Sequence, residues 1–248
     1  MKHKGLIILG VLAYLGFFIL QTPAARVIAW LPLPVQVYGA SGSIPTGSAD
    51  LIQWHEWRFE HVTWVLRLLP LVMGHVEFNL TFHNHDEGTG HTRAGVTLQR
   101  RFYLTDPHVR LPSKTLEPMW PMLTNLDGWI VADLDHLSLS NNALDLAGQV
   151  TLENVTWKNT PPAPLGDFLV TLETNKDQKI LGKIVDRNAL LALQGQVTLE
   201  PNGLWKLTGS IAPRPNTPPK ITQFLTFLGH PDQQGRFPLA FGGSLPRN

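Results

Sequence analysis

Hydrophobic and polar positions alternate with period two along much of this chain. Val76, Phe78, Leu80 and Phe82 fall on one side of an extended segment, with Glu77, Asn79 and Thr81 on the other. The pattern returns where Leu144, Leu146, Gly148, Val150 and Leu152 oppose Asp145, Gln149, Thr151 and Glu153. Leu193, Gly195, Val197 and Leu199 oppose Gln194, Gln196, Thr198 and Glu200, and Trp205, Leu207, Gly209 and Ile211 oppose Lys206, Thr208 and Ser210. Alternation of this kind predicts strands with one dry and one wet face, the habit of antiparallel sheets. Turn formers separate the runs at Asn141-Asn142, Glu153-Asn154, Pro201-Asn202-Gly203 and Pro213 to Pro219. The stretches Gly148 to Trp157 and Gly195 to Trp205 share the string Gly-Gln-Val-Thr-Leu-Glu and each ends on tryptophan. Each reads as strand, turn, strand, which supports a meander of hairpins.

Helical periodicity is scarce. The clearest case is Pro218 to Leu228, where Ile221, Phe224, Leu225 and Leu228 form a stripe at helical spacing. Thr217 is placed to cap that helix and Gly229 to end it. Pro118 and Pro121 break a second candidate, Leu116 to Leu123, into a loop or a single turn.

One apolar run is too long for a strand. Residues Gly5 to Ala25 contain no charged side chain, and Leu6, Leu12, Phe17 and Leu20 belong to its apolar body. About 20 residues at ~1.5 Å each cross ~30 Å of hydrocarbon. Lys2 and Lys4 precede the run and only Arg26 follows closely, which predicts a cytosolic amino terminus and an exported remainder. A cleaved leader has a shorter apolar stretch and a small-x-small exit. Here Pro23 crowds Ala24 and Ala25, so the expectation is an uncleaved signal-anchor over residues 5–25 behind a tip of residues 1–4. Trp30, just beyond, suits the headgroup region.

Composition narrows the classes. A net charge of +1 gives no footprint for nucleic acid. With 21 Gly, 20 Pro and only 16% charged residues, the chain is rich in turns and poor in solvated helices. It has no cysteine, which excludes a lipoprotein, disulfides and thiol catalysis.

Candidate chemistry is thin. His83 and His85, two apart, point to one side of a strand and could share a metal with Asp86 or His91. The simpler reading is a polar hairpin tip over Asn84 to Gly90, and no metal or other cofactor is expected. Asp133 and Asp135 form a possible carboxylate pair but read more simply as solvated strand-edge charges. Ser43 and Ser48 lack a nucleophile-elbow context. Trp54, Trp57 and Trp64 are expected in a core. Gly39, Gly42 and Gly47 predict a tight hairpin before the first strongly apolar strand.

Those glycines carry a resemblance. Leu31 to Gly39, then Gly42-Ser43-Ile44 and Gly47-Ser48-Ala49, resemble the opening motif of the type II secretion system protein N (general secretion pathway protein N) family. The closing segment is similar as well: Leu225, Leu228-Gly229, Pro231-Asp232 and Gly235-Arg236-Phe237-Pro238-Leu239. Pro45 departs from the pattern, standing where that family usually has tryptophan.

The resemblance implies a single-span inner-membrane protein whose residues 26–248 form a periplasmic, mainly β domain. That domain would be a curved antiparallel sheet of the AsmA-like kind with one or two short helices. It implies a non-enzymatic accessory or structural part of the secretion machinery, touching other components of that system and the lipid bilayer through its amino-terminal helix. A curled sheet holding a lipid or another apolar ligand is the alternative, and a metal-dependent hydrolase a more distant one.

Overall fold

The computed structural model describes residues 21–30, 35–55, 57–99, 101–117, 124–140, 143–158 and 162–244. The anchor residues Gly5, Leu6, Leu12, Phe17 and Leu20 lie outside these. Among the described residues no helix is long and apolar enough to cross a membrane. The chain divides into two compact units, Met1–Leu98 and Gln99–Asn248.

The first unit opens with a short helix, α1 (Ala24–Trp30). Strands β1 (Gln36–Tyr38), β2 (Ser41–Gly42), β3 (Thr46–Trp54) and β4 (Trp57–Arg67) follow, and α2 (Leu68–Val72) leads into β5 (His75–His83) and β6 (Thr89–Thr97). The order is β1-β3-β4-β5-β6, with β2 also on β3, and these ladders are antiparallel. The alternation read from Val76 to Phe82 is β5 itself.

The second unit contains β7 (Phe102–Pro112), β8 (Leu126–Ser140), β9 (Ala143–Trp157), β10 (Ala163–Thr174), β11 (Ile180–Arg187), β12 (Leu191–Leu199) and β13 (Leu204–Pro213). Helix α3 (Pro219–Leu225) and the closing strand β14 (Phe237–Ser244) complete it. Each strand pairs antiparallel with the next in sequence. The mainly β, antiparallel prediction therefore holds.

Burial is concentrated in this second unit. Val155, Leu165, Phe168, Leu191 and Ile211 from the sheet and Ala189 from the β11–β12 connection pack with Ile221 and Leu225 of α3 and Phe237 of β14. The helix has Pro at its first turn, where a missing N–H costs nothing, and buries Ile221 and Leu225, one turn apart. In the first unit only Ala24, Ala49 and Val62 are fully buried hydrophobics among the described residues.

Four expectations need correction. Glu153-Asn154 is not a turn: both lie inside β9, where Asn154 takes φ 51° and gives its N–H to Asp167 Oδ1 at 2.7 Å. Asparagine tolerates the left-handed region better than most residues, so a polar pair that looks like a turn here makes a local irregularity within a strand. The stretch from Gly148 to Trp157 is thus one strand, whereas Gly195 to Trp205 does turn at Pro201 to Gly203. Thr217 does not cap α3, whose preceding residue Pro218 makes no side-chain cap. Its hydroxyl donates to Leu190 O at 2.7 Å and accepts from Arg214 N at 2.9 Å, tying the loop to β12's entrance. Trp54 is 47% exposed at the end of β3, while Trp57 and Trp64 are half-buried. Finally, Asp133 and Asp135 sit on β8, an interior strand between β7 and β9, not on an edge.

Candidate functional site

The amino-terminal glycine motif is a corner built from β1, β2 and β3. Gly39 has φ +64°, and a Cβ there would overlap the Asp50 carboxylate of β3. Gly42 leads into the turn closed by Ser43 N–H to Thr46 O at 2.9 Å. Gly47 lies beneath the indole of Trp64, where a side chain would collide with that ring and with Ser41 O. The indole Nε1 donates to Ile44 O at 3.1 Å, and Leu66 N donates to Pro45 O at 2.6 Å. The indole at this corner is supplied from β4.

The carboxyl-terminal motif is the return path from α3 into β14. After the helix a single 3-10 turn, Thr226–Leu228, ends at Gly229 with φ 131°. Asp232 Oδ1 then accepts from Gln234 N at 2.8 Å and Arg236 N at 2.9 Å, and Gly235 N donates to Asp232 O at 3.0 Å. Arg236 Nε reaches Ser210 Oγ at 2.8 Å on β13. Phe237 is buried in the core, and Pro238 lies opposite Ser210. Arg236 and Phe237 are thus held by contacts within the chain.

The histidines gather differently from the sequence expectation. Among the described residues the set whose ligand atoms come together is Glu60, His61 and His85, all within 4.8 Å of one another. Of the predicted group only His85 belongs to it; His83 lies opposite Thr89 and His91 opposite Thr81 along the β5–β6 ladder. Glu60 and His61 were missed because neighbours on a regular strand point to opposite faces. His61 has φ 45°, which departs from regular strand geometry.

The local bonds also show a structural task for this set. The β4–β5 ladder ends at Thr63 and Thr81. Beyond it, Glu60 N donates to Asn84 Oδ1 at 2.9 Å, Asn84 Nδ2 to Arg58 O at 3.2 Å, and His85 N to Glu60 Oε2 at 2.9 Å. His61 Nδ1 lies 3.3 Å from His83 O. Side chains thus carry on where backbone pairing stops. The hydrogen bond between His85 Nδ1 and Glu60 Oε2 holds the Glu60 carboxyl below its ordinary range and raises the His85 imidazole above its own. Asp133 is paired with His108 of β7.

Comparison with known proteins finds relatives along nearly the whole chain. Residues 34–240 match the family described as type II secretion system (T2SS), protein N. Type II secretion system protein N of Aeromonas hydrophila is 30% identical, covering 99% of this chain and all of that protein. The proteins of the same name from Pectobacterium carotovorum subsp. carotovorum and Vibrio cholerae are 24% and 22% identical, over 99% and 92% of this chain. No solved structure matches. The chain belongs to the type II secretion system protein N family.

Proposed function

We propose that this protein works as a membrane-anchored component of the type II secretion machinery, acting by contact rather than catalysis. The apolar run within residues 5–25, ending at Leu20, spans the inner membrane, and the sheet-bearing remainder stands in the periplasm. The observation that carries the contact reading is the open margin of the second unit. β14 is the last strand in the order, has β13 on one side only among the described strands, and exposes most of its residues from Leu239 to Ser244. A free strand edge offers unpaired backbone groups to an extended segment of another protein. A tether multiplies a weak contact of this kind by raising effective concentration.

The reading as a carrier of apolar ligands draws less support. The apolar face of the second unit is filled by the chain's own α3 and by Phe237. The deciding experiment replaces residues 1–25 with a cleavable leader that delivers the domain to the periplasm. The expected product is folded and soluble yet fails to support secretion; full secretion by the untethered domain would overturn the tethered role.

A further inference from the structure

The first unit carries an apolar surface that its own fold leaves uncovered. The connection from β4 to β5 reads Leu68-Leu69-Pro70-Leu71-Val72-Met73-Gly74, without a charged or polar side chain. Leu68, Leu69, Val72 and Met73, with Leu98 just after β6, are between 66% and 87% exposed. Gly74 turns with φ +76° directly against Leu98, so the connection and Leu98 form one patch. The charge at its root is neutralised, because Arg67 pairs with the buried Glu77. Clusters of large apolar groups like this are uncommon on free surfaces and mark a partner or a lipid phase.

The position of the patch selects the occupant. Thr46 lies opposite Val65, so the turn Ser43 to Thr46 and the Leu68 connection sit at the same end of the unit's sheet. Leu66 N bonds Pro45 O at 2.6 Å, which places the two side by side. Pro23 forms a bridge with Ser43 in that same turn. Only Gln21 and Thr22 separate Pro23 from Leu20, the end of the strongly apolar run. Three residue steps of ~3.5 Å span about 10 Å, so a chain leaving the bilayer at Leu20 brings this end of the sheet to the headgroups. The tips at His55 and at Asn84 to Gly88 lie at the other end.

We infer that the Leu68–Met73 connection and Leu98 dip into the membrane surface beside the anchor and fix the first unit against the bilayer. This rests on the anchor reading and adds a second, peripheral foothold to it. An apolar turn of this kind inserts to the depth of the headgroup–acyl boundary, roughly 5–10 Å. It needs no strong affinity of its own, since the tether supplies the concentration.

The chain has no cysteine, so single thiols can be placed cleanly. The full chain carrying Leu12→Cys, Val72→Cys or Glu87→Cys would be labelled with an environment-sensitive fluorophore. Each variant would then be reconstituted in phosphatidylethanolamine–phosphatidylglycerol vesicles containing acyl-chain nitroxide lipids. The expected result is strong quenching at positions 12 and 72, with several-fold less at 87. Quenching at 12 with position 72 no better quenched than 87 would overturn the foothold and leave the anchor standing. Quenching at neither 12 nor 72 would overturn both. Val72 is 87% exposed, so its replacement leaves packing intact.

Discussion

At the scale of single residues, the glycines of the amino-terminal corner are steric solutions. Gly39 adopts a left-handed backbone with the Asp50 carboxylate where a Cβ would go. Gly39→Ala should destabilise the first unit by about 2 kcal/mol, from backbone strain plus displacement of Asp50. Chemical denaturation measures it, and an unchanged midpoint would refute the steric account. The pair Glu60–His85 gives a pH prediction with a definite sign. His85 is raised above its ordinary 6.5, so its contribution is complete below that value and disappears as pH climbs through the elevated one. Glu60 is lowered from 4.5, so its share is complete above that value and is lost on acidification. The link between β4 and the β5–β6 tip is therefore firmest between 4.5 and 6.5. An NMR titration of the His85 imidazole should show a midpoint above 6.5 that falls back in Glu60→Gln. A midpoint unmoved by that substitution would refute the pairing.

At the scale of elements, what was legible depended on how regular each element is. The strands β5, β12 and β13 alternate cleanly because one face of each is apolar, and their alternation locates them; in β9 the alternation locates Leu144 to Leu152 but not the continuation to Trp157. Helix α3 was legible from Ile221 and Leu225, which the core takes up. What misled was local chemistry with two outcomes. Asn154 has turn-forming character, yet its N–H finds Asp167 on the neighbouring strand and β9 continues. Helix α2 could not be read from periodicity, since Leu68 to Val72 is apolar on every side and gains no buried face. The Glu60–His61–His85 group was hidden for a similar reason: it depends on one irregular backbone angle and on partners 24 or more residues apart. The element with most to lose is α3. Leu225→Ala should cost about 3 kcal/mol by opening a cavity against the sheet. Phe227→Ala, at a position 82% exposed, should cost little, and equal losses at the two sites would argue against the packing described.

At the scale of the whole molecule, the two units differ in what they bury. The second has a cluster of large apolar side chains under α3, whereas the first fully buries small or medium ones, Ala24, Ala49 and Val62. Local opening is easiest where few apolar contacts must be broken. Amides of β4 to β6 should accordingly exchange with solvent before those of β9 to β13, as mass-spectrometric hydrogen exchange would record. The reverse order would show that the first unit draws stability from elsewhere, the bilayer included if vesicles are present.

Sequential pairing has a consequence for the way the chain is made. Among the described strands of the second unit, each finds its ladder partner immediately before or after it along the polypeptide, and none of them waits for a distant segment. Loops that close over short distances form early and cheaply. A polypeptide threaded outward through a translocation channel could zip up one hairpin at a time as it emerges. The final step would be the docking of α3 and Phe237, which seals the core.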